Sequence, residues 1–321
     1  MRFVNVRNLL TDKAPLVSIV TPTFNRGGTI ARAIESVAAQ GLENYEHIIV
    51  DGKSSDKTEE IVSRYSNIRF ISEADRGMYD AINKGIKIAR GKYIGWLNSD
   101  DNYEPNSLSL AIKMLIEAKD VSGIFGAART IFMDDSHPPQ LIPVIQQGSI
   151  LHRVAFDTFP INAFIFKREV FDQIGCFNSD YKIAADRDFM FRFGLSGIPF
   201  ITLDRVLYVY CAHPSSMTLG TQPDLNIQGH YEEMDIAIKN REGRSSADKT
   251  YQLCTNWHKR ASRDAALRIL RTGDHKAFAA IMRQGLSVNK DWLYYFFGTL
   301  VIRVFGRFLP QHIYDRINKH T

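Results

Sequence analysis

The side chains best suited to chemistry in this sequence are two adjacent carboxylates, Asp100 and Asp101, which follow an apolar segment ending at Leu97. Neighbouring carboxylates repel each other and lose hydration when they are partly buried. We therefore expect a compensating group beside them. The alternative interpretation is an ordinary capped turn before a helix that begins near Pro105.

Polar residues also follow three other apolar segments in the first half of the chain. The segments are LVSIVTPTF, EHIIVD and IRFIS, and the polar stretches at their ends are Thr21–Asn25, Asp51–Asp56 and Glu73–Gly77. Ligands of open α/β sheets bind beyond the carboxyl ends of the strands, so four such ends on one edge predict a ligand site. Each end taken alone is also explained by turn and cap chemistry, and Asp56 is interpreted as a helix N-cap.

The elements that must position these side chains alternate along the first 130 residues. Apolar, β-branched runs predict buried strands, and TIARAIESVAAQ places its apolar residues on one helical face. The alternation predicts βαβ units and a mostly parallel sheet with helices on both faces. Residues 131–220 are less regular, with FITLDRVLYVYCAH predicted as a pair of strands. Residues 228–290 are predicted to be helices that are split at Thr272–Gly273–Asp274.

The composition excludes several classes of protein. The 321 residues are 45% hydrophobic and 23% charged, as in an ordinary globular protein. Cys176, Cys211 and Cys254 are too far apart for a zinc motif or a disulfide framework, which favours a reducing compartment. The N-terminal residues lack the long apolar run of a signal peptide. We therefore expect a cytoplasmic protein.

The basic character of the chain belongs to its C-terminal tail. Residues 251–321 hold 12 Lys/Arg and 4 Asp/Glu. The apolar run Trp292–Leu309 contains Arg303 and Arg307, so it is a poor transmembrane span. Aromatic residues followed by arginines suit a helix lying on an anionic membrane, rather than a segment that binds nucleic acid. The alternative is a helix packed on the catalytic domain or on a partner subunit.

Five stretches together resemble the family 2 glycosyltransferases with the GT-A fold. They are VSIVTPTFNR, AIESVAAQ, YEHIIVDGKSSDKT, DRGMYDAINKGIKIARGKYIGWLNSDD and FNSDYKIAADRDFMFR, in the order and spacing of the family over residues 16–215. The resemblance implies inverting transfer of a sugar from a nucleoside diphosphate, usually UDP, with Mn²⁺ or Mg²⁺ as cofactor. Similar bacterial members build capsules, exopolysaccharides or O-antigens.

The resemblance also implies how the chain is organised. We expect a Rossmann-like, mostly parallel sheet flanked by helices, with a C-terminal helical extension. Residues 1–15 would form an N-terminal arm and residues 16–225 the catalytic domain. Within that domain residues 16–130 would bind the nucleotide-sugar and residues 131–225 the acceptor. Residues 226–321 would form the helical region that carries the basic amphipathic tail.

The positions that match the motifs of the family give candidate site residues. The predicted metal ligands are Asp100, Asp101 and His213, because a hard cation neutralises both the acids and the donor diphosphate. Asn98 stands where the family often has Asp, and can hydrogen-bond a ribose or coordinate weakly through its carbonyl. Gly52 stands where many relatives carry a second Asp. The predicted donor-binding residues are Thr21, Pro22, Thr23, Asn25, Asp51, Asp75, Arg76, Asn83, Lys84, Asn98 and Ser99.

The resemblance assigns the general base to Asp186, with Ala185 in place of the usual Glu. Asp188 would be its structural neighbour. The implied reaction is a single in-line displacement, in which Asp186 takes the proton of an acceptor hydroxyl while the metal stabilises the leaving diphosphate. One displacement inverts the anomeric configuration, so no protein nucleophile is needed.

Several alternatives remain open at this level. A polyprenyl-phosphate sugar synthase would share the donor half but use a lipid phosphate as acceptor. A sugar nucleotidyltransferase would need a Gly-rich basic loop, which TPTFNRGG supplies poorly. A third alternative is a non-catalytic protein that binds sugar nucleotides. The expected acceptor is a glycan or lipid-linked oligosaccharide, the expected location is the inner face of the plasma membrane, and an oligomer is possible.

Overall fold

The computed structural model describes residues 2–4, 14–214, 216 and 223–305. Most of the predicted N-terminal arm and the end of the basic tail, including Arg307, lie outside the described residues. The chain divides into two compact units, Met1–Thr221 and Gln222–Thr321. We refer to them as the sheet unit and the helical unit.

The described residues of the sheet unit form ten strands. They are β1 (Arg2–Val4), β2 (Val17–Thr23), β3 (Tyr45–Asp51), β4 (Ile68–Ser72), β5 (Tyr93–Trp96), β6 (Asn102–Tyr103), β7 (Gly123–Phe132), β8 (Gln140–Ile142), β9 (Phe164–Lys167) and β10 (Phe200–Ala212). Their order in the sheet is β1-β4-β3-β2-β5-β9-β7-β10-β6, and β8 pairs with β7. β2, β3, β4 and β5 are parallel neighbours, so their carboxyl ends meet at one edge of the sheet.

Seven α-helices complete this unit. They are α1 (Ile30–Ala38), α2 (Thr58–Val62), α3 (Met78–Ile88), α4 (Ser107–Glu117), α5 (Ile150–Phe156), α6 (Glu169–Ile174) and α7 (Ala185–Ser196), with a short 3₁₀ helix over Gln147–Ser149. In α1 the apolar residues recur at helical spacing, and Ile30, Ala33, Ile34 and Val37 are all buried. The predicted alternation of strands and helices up to Trp96 is therefore observed.

The second half of the sheet departs from the sequence prediction in one respect. FITLDRVLYVYCAH forms one 13-residue strand, β10, and the prediction of a strand pair was wrong. β10 runs parallel to β7 along its whole length, with register shifts between Leu203 and Tyr208. The polar pair Asp204–Arg205 produces a bulge there, because the partner strand continues past it. This long strand carries Tyr208, Cys211 and the following His213 to the edge where β5 ends.

The helical unit contains α8 (Pro223–Arg241), α9 (Lys249–Thr272), α10 (His275–Val288) and α11 (Trp292–Phe305). The predicted break between α9 and α10 is observed at Gly273, whose φ of 76° ends α9 in the left-handed region. Asp274 then accepts a hydrogen bond from Ala277 N and starts α10. Trp292 and Phe296 of α11 are buried with Ala261, Ala265 and Ile281 in the core of this unit.

Candidate functional site

Asp100 lies beyond the carboxyl end of β5, and the basic side chains of two other residues lie close to its carboxylate. His213 Nε2 is 3.0 Å from Asp100 Oδ2, and Arg26 Nε is 3.6 Å from the same oxygen. Arg32 Nη2 donates to the Asp100 carbonyl oxygen at 2.9 Å. The side chains of Asp100 and His213 are about one-sixth exposed, so both remain accessible to a ligand. The structure thus brings together Asp100 and His213, which are 113 residues apart in sequence.

Asp101 has different surroundings from its neighbour. Its Oδ1 accepts a hydrogen bond from Cys211 N at 2.8 Å, and its Oδ2 accepts from Tyr208 Oη at 2.7 Å and from Asn98 Nδ2 at 3.1 Å. The residue is 5% exposed. Burial, and next the charge of Asp100, raise the pKa of Asp101 above its ordinary value. Both oxygens are therefore engaged in joining the end of β5 to β10, and the geometry favours Asp100 over Asp101 as a metal ligand.

A buried hydrogen-bond network supports this junction. Tyr208 Oη accepts from Asn98 N and from Asn162 Nδ2, both at 3.0 Å. Asn162 Oδ1 in turn accepts from Trp96 Nε1 at 2.9 Å. These hydrogen bonds join the end of β5 to β10. The residues of the network lie in three separate regions of the sequence, and the motifs alone did not reveal it.

The residues around Asp100 fit a divalent cation. Carboxylate, imidazole and amide oxygen are ligands that Mn²⁺ and Mg²⁺ accept. Asn98 Oδ1 is buried and has no hydrogen-bond partner in the described part of the chain, so it is one such oxygen. Within those residues no group of three or more His, Cys, Asp or Glu side chains is arranged to hold a metal ion. A cation held here would need further ligands from its substrate, as Mg²⁺ commonly does.

The end of β2 holds two threonines in different environments. Thr21 is fully buried, and its Oγ1 lies 2.8 Å from Nε2 of His47 on β3. Thr23 is 5% exposed, and its hydroxyl has no hydrogen-bond partner among the described residues. Pro22 lies between them in the same buried strand. Of these three predicted donor residues, Thr23 thus offers an unpaired polar group at the strand end.

Asp51, at the end of β3, is 1% exposed. Its carboxylate accepts hydrogen bonds from Ser54 N at 3.0 Å, from Ser54 Oγ and from Ser72 Oγ at 2.7 Å. Asn25, with a φ of 52°, joins this loop through Ser55 N, which donates to Asn25 Oδ1 at 2.8 Å. These contacts show Asp51 and Asn25 bracing the loops after β2 and β3. Whether they contact a donor stays a prediction.

The segment from β4 into α3 is also held in place by hydrogen bonds and an ion pair. Lys84 Nζ donates to Ala74 O at 2.7 Å and lies 3.2 Å from Glu73 Oε1. Asn83 exchanges two hydrogen bonds with the backbone of Phe177. Arg76 Nη2 donates to Ser179 Oγ at 2.7 Å. Packing thus accounts for Lys84 and Asn83, and their predicted contact with a donor remains untested.

Asp186 and Asp188 lie in the first turn of α7. Asp188 Oδ2 accepts from Arg192 Nε at 2.9 Å and from Arg192 Nη2 at 2.8 Å, one helical turn later. Asp186 Oδ1 accepts from Arg187 N at 2.7 Å. The two-point ion pair of Asp188 gives it a structural role. Asp186 stays the predicted base.

Tyr210 connects the two acidic regions of the site. Burial raises the pKa of its phenol, and the charges of Asp101 and Asp186 act in the same direction. Its ring centroid is 4.8 Å from that of Tyr208, which binds Asp101. Asp101 and Asp186, which are 85 positions apart in the sequence, therefore both act electrostatically on one partly buried tyrosine.

The first half of the chain is similar in sequence to known glycosyltransferases. A model of the family described as Glycosyl transferase family 2 matches residues 18–179. An uncharacterized glycosyltransferase of Rickettsia prowazekii is 30% identical over 188 residues, which are 56% of this chain and 59% of that relative. A PGL/p-HBAD biosynthesis glycosyltransferase of Mycobacterium bovis is 27% identical over 187 residues, which are 56% of this chain and 70% of that relative. The chain thus matches less than two thirds of the Rickettsia protein.

Solved structures resemble the fold over most of the chain. TarS 1–349 of S. aureus in complex with UDP-GlcNAc has a TM-score of 0.60 at 17% identity, covering 86% of this chain and 91% of that one. The mannosyltransferase PcManGT from Pyrobaculum calidifontis in complex with GDP-Man and Mn²⁺ has a TM-score of 0.55 at 19% identity, covering 88% and 84%. The predicted GT-A fold is confirmed. With half of its length matched by the family model, the protein belongs to glycosyl transferase family 2.

Proposed function

We propose that the protein is an inverting glycosyltransferase that moves a sugar from a nucleoside diphosphate to a hydroxyl group. The observation that carries this proposal is that Asp100 and His213 lie 3.0 Å apart beyond the end of β5, while the charges of Asp101 and Asp186 both raise the pKa of the partly buried Tyr210. An inverting displacement needs a base for the acceptor and a charged group for the leaving diphosphate. This edge of the sheet carries candidates for both.

Asp100 and His213, with the amide oxygen of Asn98, are the residues that would hold a divalent cation. When bound, Mn²⁺ or Mg²⁺ supplies charge that neutralises the donor diphosphate. The support from outside the chain is that PcManGT was solved with GDP-Man and Mn²⁺. Asp101 stays a predicted ligand by its motif, but we propose that it positions Asn98 and Tyr208 instead, because both its oxygens already accept hydrogen bonds.

The chain's own residues perform the remaining tasks. Asp186 accepts the proton of the acceptor hydroxyl as that oxygen attacks the anomeric carbon. Arg26 lies near Asp100 and supplies a guanidinium that matches phosphate oxygens. Thr23 contributes an unpaired hydroxyl at the end of β2 for the nucleoside. Asp51 and Asn25 keep the two neighbouring loops in place for the donor.

We take a UDP-sugar as the donor and a glycan or lipid-linked oligosaccharide as the acceptor, in bacterial surface-polysaccharide synthesis. The transferred sugar would be a hexose or an N-acetylhexosamine. The test is mass spectrometry of products from a panel of UDP- and GDP-sugars with lipid-linked acceptors, and NMR of the new linkage. An inverted glycosidic product supports the proposal. A product on a lipid phosphate would identify a polyprenyl-phosphate sugar synthase, and binding without any product would indicate a non-catalytic protein.

We also propose that the enzyme acts on the inner face of the plasma membrane as a peripheral protein. No helix within the described residues is long and apolar enough to cross a bilayer. Tyr294 and Phe297 of α11 are more than half exposed and one turn apart, whereas Trp292 and Phe296 are buried in the helical unit. Aromatic residues that are followed in the sequence by arginines, here Arg303 and Arg307, suit the headgroup layer of an anionic membrane.

The membrane proposal is tested with substitutions on the exposed rings. Removing all of α11 would also remove Trp292 and Phe296 from the core, so Tyr294→Ser with Phe297→Ser is the sharper variant. We expect the parent chain to sediment with anionic liposomes at low salt and the double variant to stay largely in solution. A parent chain that never sediments with such liposomes would contradict the proposal.

A further inference from the structure

Two tyrosines near the end of β10, Tyr208 and Tyr210, share one face of the sheet and one hydrogen-bonding neighbour. Side chains alternate along a strand, so residues two positions apart point to the same side, and the two ring centroids are 4.8 Å apart. The side-chain Nδ2 of Asn162 donates to Tyr208 Oη at 3.0 Å, and the backbone N of Asn162 donates to Tyr210 Oη at 3.4 Å. Both phenol oxygens are therefore acceptors for the same residue.

The two phenols differ in what their own protons bind. Tyr208 is fully buried, and its Oη donates to Asp101 Oδ2 at 2.7 Å. The hydroxyl proton of Tyr210 has no acceptor within the described residues, and Tyr210 is only partly buried. Burial raises the pKa of Tyr210, so the phenol keeps this proton at neutral pH. Tyr210 thus has a hydrogen-bond donor that a ligand can reach.

The surroundings of Tyr210 indicate which part of a substrate would lie there. The charges of Asp101 and Asp186 both act on its phenol. Asp101 is joined to Asp100, which we propose to serve the diphosphate, and Asp186 is the proposed base for the acceptor hydroxyl. In a direct displacement the transferred sugar lies between the leaving diphosphate and the attacking hydroxyl. A side chain influenced from both sides is therefore beside that sugar.

We propose that Tyr210 donates a hydrogen bond to a hydroxyl group of the sugar being transferred, and so helps to select the donor sugar. This inference rests on the proposed function. A sugar hydroxyl accepts a hydrogen bond and carries no charge, whereas a phosphate oxygen would be repelled by Asp101 and Asp186. A site that binds a substrate hydroxyl discriminates against an analogue without it, because the donor on the protein is then left unpaired.

The test is calorimetric binding of UDP, UDP-glucose and UDP-N-acetylglucosamine, with Mn²⁺, to the full chain and to Tyr210→Phe. The substitution keeps the ring beside Tyr208 and removes only the hydroxyl. We expect UDP to bind both proteins alike. The UDP-sugar that the parent binds more tightly should bind Tyr210→Phe about tenfold more weakly, which is the loss of one hydrogen bond.

Analogues of that UDP-sugar that each lack one sugar hydroxyl identify the partner of the phenol. For one of them the parent and Tyr210→Phe should bind with equal affinity, because the contact is already absent. For the other analogues the tenfold difference should remain.

Tyr208→Phe is the matched control. It removes the hydroxyl that Asp101 binds, so the urea concentration at the midpoint of unfolding should fall. The ratio of its affinities for the UDP-sugar and for UDP should stay that of the parent. Tyr210→Phe should show the opposite pattern, with a smaller change in the unfolding midpoint and a reduced affinity ratio.

Three results would overturn the inference. Equal weakening of UDP and of both UDP-sugars by Tyr210→Phe, or no weakening of any, would show that Tyr210 does not bind the sugar, while the proposed function stands. A tenfold difference that persists in every analogue would show that no sugar hydroxyl is its partner. If the parent chain binds neither UDP nor either UDP-sugar, the proposed function fails as well.

Discussion

Asp101 of the sheet unit and His258 of the helical unit are two buried polar side chains with different surroundings. In the sheet unit the carboxylate of Asp101 accepts hydrogen bonds from Cys211, Tyr208 and Asn98 at 2.7–3.1 Å. In the helical unit His258 is 1% exposed, and neither of its ring nitrogens has a hydrogen-bond partner within the described residues. A buried polar group without a partner costs free energy, whereas a paired one is close to neutral.

The difference indicates which buried side chains have positions that matter for the candidate site. The paired groups around Asp101 lie at the strand ends that form the candidate site, and they hold the neighbouring Asp100 at the exposed edge. His258 lies within α9, among helices for which we propose no chemistry. We therefore expect substitutions in the sheet unit to affect binding and transfer, and substitution of His258 to affect stability alone.

The largest effect is expected from removal of the cation. Activity should vanish with EDTA and return with Mn²⁺ or Mg²⁺, because the diphosphate charge would otherwise be left uncompensated. Asp100→Ala should weaken UDP binding in the presence of metal and change it little in chelator, as measured by calorimetry. Unchanged turnover in EDTA would show that the reaction needs no cation at Asp100.

Asp186→Asn should have the next largest effect. The substitution keeps size and shape but removes basicity, so we expect the transfer rate to fall by roughly 10²–10⁴ while UDP affinity stays near that of the parent. Single-turnover transfer and calorimetric binding of UDP measure the two quantities. Asp188→Asn is the control and should cost far less, because Asp188 is already paired with Arg192. Greater sensitivity at Asp188 would show that the base was assigned wrongly.

Substitution of the two adjacent acids of the sheet unit, Asp100 and Asp101, should change the free energy of unfolding by different amounts. Asp101→Ala leaves three buried donors without an acceptor, so we expect the free energy of unfolding to fall by about 3 kcal/mol. Asp100→Ala removes a partly exposed ion pair and should change it by less than about 1 kcal/mol. Urea unfolding of both variants in chelator measures the difference. Equal losses would mean that Asp101 does not join β5 to β10 as described.

The sequence was sufficient to predict the elements whose pattern is local. The strands and helices from Val17 to Trp96 follow from apolar periodicity. β10 was mistaken for two strands because Asp204–Arg205 looks like a turn, and only pairing with β7 carries the strand through it. The position of Asp100 at a strand end was also predictable.

The sequence could not distinguish the roles of the two adjacent acids, because those roles depend on residues that are distant in the sequence. Asp100 and Asp101 are adjacent and identical in type, but Asp101 alone accepts hydrogen bonds from Tyr208 and Cys211, more than 100 positions away. Arg26 was missed for the same reason, since its contact with Asp100 arises from the fold of the loop after β2. Its place directly after the TPTFN stretch was the one available signal.

At pH 7 a smaller effect is expected at His258 than at Asp101, and it has the opposite sign. Burial, aided by the charge of Arg241, lowers the pKa of His258 from 6.5 to about 4. As the pH falls below 6.5, His258 therefore becomes protonated in the unfolded chain but stays neutral in the folded chain. The stability present above pH 6.5 is consequently lost as the pH falls towards 4. His258→Leu removes two unpaired nitrogens and should raise the free energy of unfolding by about 1 kcal/mol at pH 7. At pH 5 the gain should be larger by roughly 2 kcal/mol.

His47 is the matched residue of the sheet unit. Burial lowers its pKa to about 3, so its pH dependence has the same sign, but its Nε2 lies 2.8 Å from Thr21 Oγ1. His47→Leu would leave the hydroxyl of Thr21 buried without a partner and should lower the free energy of unfolding at pH 7 by about 1–3 kcal/mol. Urea unfolding of both leucine variants at pH 7 and pH 5 makes the comparison. If both variants are destabilised at pH 7, the hydrogen bond to Thr21 is not what distinguishes His47 from His258.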